Sequence, residues 1–322
     1  MTLPVVEVLL STFNAGPHLR PLLRSVASQE GAEVRIRVRD DGSTDGTREH
    51  LLTEPELAGS QVDLGEHLGP GRSYLHLLGT STGAGRFVAF CDQDDIWLPH
   101  KLRAAVERLS ISHEPTLYCG RMILADANLR SVGMSPLPRR PISLANALVE
   151  NIAMGPTIVL NPEGVRLLST KSPTSVVMHD AWAYLVFSAL GRVVYNPEPT
   201  VLYRLHARNH FGFPLHRGFR FYQTARRRAQ SYLEGQVAQA EELLRLYGDL
   251  LSDLDRQLIA RFCDSNTAHR RLRYVIRPDV YRQRRLDNIA LRGVLASRDR
   301  RGASPVARGS LDSTASGTEG KD

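Results

Sequence analysis

Asp92-Gln93-Asp94-Asp95 packs three carboxylates into four residues. Held together in a folded loop they repel one another, unless a divalent cation neutralises them or water surrounds them fully. Hard cations such as Mg²⁺ and Mn²⁺ take oxygen ligands and are commonly held by one or two carboxylates plus phosphate oxygens. The cluster therefore fits either a metal and diphosphate site or a solvated acidic turn. Asp40-Asp41-Gly42-Ser43 is a second acidic group. There one carboxylate suits a pyrimidine ring N–H and the other suits fixing the loop, although Asp-Gly is also an ordinary turn signal. His179-Asp180 precedes the apolar run Ala181-Trp182-Ala183-Tyr184-Leu185. Asp180 thus sits at the mouth of a helix, where the N-terminal dipole stabilises an anion; a surface helix cap is the plainer alternative. Arg72 is placed either to approach a diphosphate or to remain an exposed helix arginine.

These clusters need elements to position them. Val5 to Leu10 is a short apolar run closed by Ser11-Thr12-Phe13-Asn14, the pattern of a buried strand ending in a loop. Gly16-Pro17 opens a helix whose apolar stripe is Leu19, Leu22, Leu23 and Val26. A second strand spans Val34 to Val38 and stops at Asp40, and a helix follows with Thr44 or Asp45 as its cap. Arg86 to Cys91 is a third strand running into Asp92, and Pro99 starts the next helix. Strands alternating with helices predict a mostly parallel sheet covered on both faces. Ligands of such sheets gather at the carboxyl ends of the strands, where the first-strand loop and both acidic clusters fall.

The 322 residues, 42% hydrophobic, can bury a large core. Three widely spaced cysteines make neither a disulfide framework nor a metal-ligand pattern, which fits a reducing cytoplasm. The start carries no basic-then-apolar leader, and no apolar run approaches the length of a membrane span. A net charge of +7, nearly all arginine, suits phosphorylated ligands, anionic lipid or nucleic acid, or a merely solubilising surface. From about Arg217 the chain becomes Arg-rich and helical. Leu233, Val237, Ala240, Leu244, Tyr247, Leu251, Leu254 and Leu258 follow a heptad-like spacing. That seam is either a hairpin packed on its own domain or a surface for homo-oligomer formation. From Ser297 the composition is that of a disordered tail. The expected division is 1–215 catalytic, 216–296 helical and 297–322 disordered.

Taken in order, several of these motifs resemble the GT-A family 2 glycosyltransferases, and within them the rhamnosyltransferase-like members. They are Leu10-Ser11-Thr12-Phe13-Asn14, Asp40-Asp41-Gly42-Ser43-Thr44-Asp45, and Asp92-Gln93-Asp94-Asp95-Ile96-Trp97-Leu98-Pro99 with Lys101-Leu102. Asn151 to Thr157, His179-Asp180-Ala181-Trp182 and Tyr203-Arg204-Leu205-His206 complete the set, which covers roughly residues 4 to 210. The resemblance implies a GT-A (Rossmann-like) mixed, mostly parallel α/β sheet flanked by helices, with a C-terminal helical appendage. It implies that Ser11 and Phe13 line a base pocket and that Asp41 bonds the base. Asp92 and Asp94 would hold Mg²⁺ or Mn²⁺ and through it the diphosphate of a dTDP- or UDP-sugar. His206 would be a third metal or phosphate contact, with Arg204 nearby for phosphate charge. Asp180 would deprotonate the acceptor hydroxyl, inverting the anomeric centre of a sugar such as rhamnose.

The expected acceptor is a glycan or lipid-linked glycan at the inner face of the plasma membrane. Arg226-Arg227-Arg228 and Arg270-Arg271 are then candidates for peripheral membrane contact. Some residues depart from the family pattern. Arg35, Arg37 and Arg39 alternate through the second strand, where apolar residues are expected. His67 stands before Leu68-Gly69 in place of the more typical asparagine, and Ala181 follows the His-Asp pair where a tryptophan is common. Two other classes compete. A Mg²⁺-dependent phosphohydrolase would need a nucleophilic aspartate and a well-placed lysine, and only Lys101, Lys171 and Lys321 exist. A nucleic-acid-binding protein would suit the charge, but no such motif is present, and no nucleic-acid partner is expected.

Overall fold

The computed structural model describes residues 2–81, 85–205, 221–264, 276 and 278–296. The chain opens with β1 (Val5–Thr12), α1 (Leu19–Ala27), β2 (Glu33–Asp40), α2 (Thr47–Thr53), β3 (Gln61–Leu64), α3 (Pro70–Thr80) and β4 (Phe87–Asp92). Next come β5 (Ile96–Trp97), α4 (Lys101–Leu109), β6 (Thr116–Ala125), β7 (Ser131–Met134), α5 (Leu144–Ala147), β8 (Val159–Leu160), α6 (Pro162–Ser169), α7 (His179–Leu190) and β9 (Arg192–Arg204). Three helices follow among the described residues: α8 (Phe221–Tyr247), α9 (Asp253–Cys263) and α10 (Arg285–Ala296).

The sheet order is β3-β2-β1-β4-β8-β6-β9-β5, with β7 paired to β6. Strands β3, β2, β1 and β4 are mutually parallel. β8 joins antiparallel to β4 and β6, while β6 and β9 run parallel. The sheet is thus mixed, parallel where the βα alternation is strongest. Successive residues of a strand point to opposite faces, and the packing follows that rule. Val8 and Leu10 meet α1 and α4 on one face, whereas Leu9, Val88 and Phe90 meet α3 and α7 on the other.

All four residues of the α1 stripe are buried. The second helix begins later than its sequence signals imply. Gly46 in the left-handed region precedes α2, and Asp45 caps from one residue further back, accepting the Thr47 N–H at 3.1 Å. Of the three β2 arginines, only Arg35 stays exposed, paired with Glu33 at 2.8 Å. Arg37 and Arg39 are buried: Arg37 lies 3.5 Å from Asp63 and donates to the Thr80 carbonyl, and Arg39 pairs with Asp41. A buried charge persists when it is paired and hydrogen-bonded, so polar side chains here fill core positions.

Helix α7 is apolar all round and buried all round, as such a helix must be. Its outer side is covered by α8. Leu233, Val237, Ala240, Tyr247 and Leu251 of the heptad-like seam, with Leu243, share one apolar cluster with Trp182 and Phe187, whereas Leu254 is exposed. The seam is therefore consumed as intramolecular packing. Polar bonds lock the same interface. Gln239 accepts the Val177 N–H at 3.1 Å, and buried Glu242 accepts both the N–H and hydroxyl of Thr174. These bonds fix the segment that leads into α7. His206, Arg270, Arg271, the side chains of Arg226, Arg227 and Arg228, and the tail from 297 lie outside the described residues.

Candidate active site

A cleft of about 940 Å³ opens at the carboxyl ends of β1, β2 and β4 and is closed on its far side by the start of α7. Ser11, Phe13, Asp41, Asp92, Asp94 and Asp180 all line it. Side chains up to 169 residues apart in sequence, Ser11 and Asp180, thus meet in one cavity. Arg72 is exposed on α3 and is not part of the lining. Arg204 does not line the cleft either: it is buried, and its guanidinium donates to the carbonyls of Asp94 (2.9 Å) and Ala127 (2.6 Å). It therefore shapes the Asp94 loop from behind.

The two aspartates after β2 divide their work. Asp40 is fully buried and fixes its own loop, accepting from Ser43 N (2.9 Å), Thr12 Oγ1 (3.0 Å) and Arg48 Nε (2.8 Å). Although desolvation opposes it, these donors hold its carboxyl below the usual range. Asp41 faces the cleft. Its carboxylate takes the Leu68 and Gly69 N–H groups at 2.9 and 2.8 Å and the Arg39 guanidinium, while His67 Nδ1 bonds the Asp41 backbone carbonyl at 3.1 Å. A carboxylate offers about four acceptor positions, so three donors leave Asp41 room for one more, on the side where exposed His67 lies 3.0 Å away. The His67 ring also packs on Phe13 at 4.4 Å. Gln93 clamps the Phe13 backbone, accepting its N–H at 2.7 Å and donating to its carbonyl at 3.0 Å. The family-atypical histidine thus forms the rim of the pocket.

Asp92 ends β4 beside Asp94. Burial, and next the Asp94 carboxylate, push the Asp92 carboxyl up to about 7, against a stabilising bond from Tyr74 Oη at 2.9 Å. Asp95 plays another part. It is fully buried and accepts the Arg204 N–H at 3.0 Å, tying the loop to the end of β9. Among the described residues, no three His, Cys, Asp or Glu side chains form a ready-made metal cluster. The Asp92–Asp94 pair nevertheless fits a hard divalent cation. It supplies carboxylate oxygens only, it is strained by like charge, and the cleft beside it has room for further oxygen ligands from a diphosphate.

Asp180 stands in the first turn of α7. Its Oδ1 accepts the Ala181 N–H at 2.7 Å and its Oδ2 the Gly155 N–H at 3.1 Å. Desolvation outweighs these bonds and that from Asn151, raising the carboxyl to about 6. His179 is buried and stacks on Tyr74 at 3.8 Å, with both ring nitrogens unpartnered among the described residues. Burial pushes the imidazole down to about 3, so it is neutral at physiological pH. Gly155 is needed by close approach: a Cβ there would lie 3.1 Å from His179 Nε2 and 3.8 Å from the Asp180 Cβ. Gly155→Ala should displace the His179-Asp180 turn and lower kcat by up to about 10²-fold, with donor affinity unchanged by calorimetry.

Sequence reasoning missed Tyr74, Ser73 and Arg39. Tyr74 joins Asp92 to His179, and Ser73 Oγ bonds Ser11 Oγ at 2.7 Å while accepting from Arg39 at 3.1 Å. The only trace in the sequence is a Ser-Tyr pair in the α3 stripe. Lys101 lies against the Trp97 ring, buried and outside the cleft lining, so among the described residues no lysine lines the cleft as a phosphohydrolase would need.

Residues 7–154 match the family model described as glycosyl transferase family 2. An uncharacterized glycosyltransferase of Nostoc sp. (strain PCC 7120 / SAG 25.82 / UTEX 2576) is 32% identical over 102 residues, 32% of each chain. The UDP-Glc:alpha-D-GlcNAc-diphosphoundecaprenol beta-1,3-glucosyltransferase WfgD of Escherichia coli is 27% identical over 49% of this chain and 60% of its own. The dTDP-rhamnosyl transferase RfbG of Shigella flexneri is 23% identical over 63% and 73%. The chain therefore spans less than two thirds of the first two relatives. In three dimensions it resembles S. aureus TarS 1-349, with a TM-score of 0.55 at 18% identity over 85% of this chain and 75% of that one. Residues 7–154, somewhat less than half of the chain, thus match the glycosyl transferase family 2 model, and the strand topology is that of the GT-A fold.

Proposed function

We propose that the chain is an inverting glycosyltransferase, moving a sugar from a nucleoside diphosphate donor to a hydroxyl of a glycan or lipid-linked acceptor in cell-surface polysaccharide assembly. One observation carries this reading: Asp41, Asp92, Asp94 and Asp180, from three separate segments, line one cleft. In this reading residues 1–215 supply the reacting groups and 216–296 support them. Ser11, Phe13 and Asp41 receive the nucleotide base, and a base N–H reaching Asp41 takes the remaining acceptor position, beside His67. Asp92 and Asp94 would hold Mg²⁺ or Mn²⁺, which offsets charge on the departing diphosphate. Tyr74 keeps Asp92 oriented and Arg204 keeps the Asp94 backbone in place. Asp180 takes the proton of the acceptor hydroxyl as that oxygen bonds to the anomeric carbon and the carbon–phosphate-oxygen bond breaks. A carboxyl near pKa 6 is largely ionised at neutral pH and basic enough for this step.

The relatives named above favour dTDP- and UDP-sugars, rhamnose and glucose among them, and a diphosphate-linked lipid acceptor as the classes to test first. A thermal-shift screen of nucleotide sugars with and without Mn²⁺ is the direct test. A cognate donor at 100 times its Kd stabilises by about 2.7 kcal/mol, a shift of several degrees, and the gain should require the metal. Absence of stabilisation by every nucleotide sugar, with or without metal, would refute the reading.

A further inference from the structure

We propose that the surface made by β7, the segment after it and the outer face of α10 is a docking face for an anionic lipid bilayer. Val132, Met134 and Leu137 are exposed on the first part, and Leu286 and Ile289 on the second. The two parts are stitched together. Gln283 Oε1 accepts the N–H groups of Arg139 and Arg140 at 2.9 and 2.8 Å, Tyr281 Oη donates to the Pro141 carbonyl at 2.8 Å, and the Arg140 guanidinium lies over the Tyr281 ring. Helix α10 needs only its inner stripe to hold it on the protein: Leu291 and Leu295 are buried there. Leu286 and Ile289, one turn apart on the other side, contribute nothing to that packing.

Charge selects the occupant. Residues 130–141 contain three arginines and no acid, and residues 284–292 contain three arginines and one acid, Asp287. None of the six arginines has a carboxylate partner among the described residues; Arg282, by contrast, pairs with Glu150. Exposed apolar side chains interspersed with unpaired arginine are the chemistry of an interfacial segment on anionic lipid. A second copy of the chain fits poorly, because a two-fold contact sets the same patch against itself and opposes arginine to arginine. No described helix is long and apolar enough to cross a membrane. The inference goes beyond the glycosyl-transfer reading and does not depend on it.

The test is co-sedimentation of the full chain with vesicles of phosphatidylcholine alone or mixed with phosphatidylglycerol. The wild type should pellet with the mixed vesicles and stay in solution with the neutral ones. Arg139→Ser/Arg140→Ser should weaken binding by about 25-fold, roughly fivefold per arginine near an anionic surface. Leu286→Ser/Ile289→Ser should weaken it as well. All four side chains are exposed, so both variants should keep the wild-type melting temperature and, by calorimetry, any donor binding the wild type shows. The proposal is overturned if the wild type ignores anionic vesicles, if neutral vesicles bind equally, or if both variants pellet as the wild type does. It is equally overturned if the patch instead drives dimerisation that those substitutions abolish.

Discussion

Asp180→Asn should lower kcat by about 10²- to 10⁴-fold, the usual cost of losing a positioned base, while donor affinity measured by calorimetry stays at the wild-type value. The substitution keeps the shape of the side chain and its oxygen acceptor for a neighbouring N–H, so the α7 turn stays in place. A pH profile separates loss of the base from local damage. The carboxyl is held near 6 by desolvation. A base works only when unprotonated, so wild-type turnover should fall as pH drops through about 6. The residual rate of Asp180→Asn should show no such limb. Near-normal turnover in the variant would remove Asp180 from the role of base.

Asp94→Ala should abolish metal-dependent donor binding. Loss of a mere outer partner of a metal ligand costs about 10- to 100-fold in affinity, and loss of a ligand should exceed that. The change should also act on Asp92. Its carboxyl is raised to about 7 by burial and then by the Asp94 charge. Removing that charge lowers the Asp92 value, so any remaining metal affinity should persist to lower pH than in the wild type. Isothermal titration of Mn²⁺ and donor across pH 5 to 8 reads both effects. Unchanged affinity at neutral pH would exclude Asp94 as a ligand.

The positions of the acidic clusters were legible because buried parallel strands are near-continuous apolar runs. Val5–Leu10 and Arg86–Cys91 announce their own ends, and the polar residues after them fall at the cleft. The α1 stripe and the start of α7 were legible for a similar local reason. What escaped was set by contacts across the chain. β5 and β8 are two residues each and exist only because β9, β4 and β6 pair with them. Arg39 looked like a misplaced surface charge, since its partners Asp41, Ser73 and the Glu66 carbonyl come together only after α3 packs on the sheet. Arg204 looked like a phosphate ligand because it follows Tyr203 in a motif, but its backbone and guanidinium are spent on Asp95, Asp94 and Ala127. The partner of the α8 stripe could not be inferred from spacing alone, since a heptad pattern fits a neighbour in the same chain as well as one in another.

The bonds from Gln239 and Glu242 to residues 174–177 have a consequence for how the molecule comes together. The approach to α7 is held by a helix synthesised more than fifty residues later. While the chain is still emerging from the ribosome, Trp182, Leu185 and Phe187 have their inner faces on the sheet and no cover outside. A nascent chain ending before α8 would therefore present an adhesive surface and a loosely held Asp180. The closed cleft wall around Asp180 is therefore complete only once the later helices have packed over the first half.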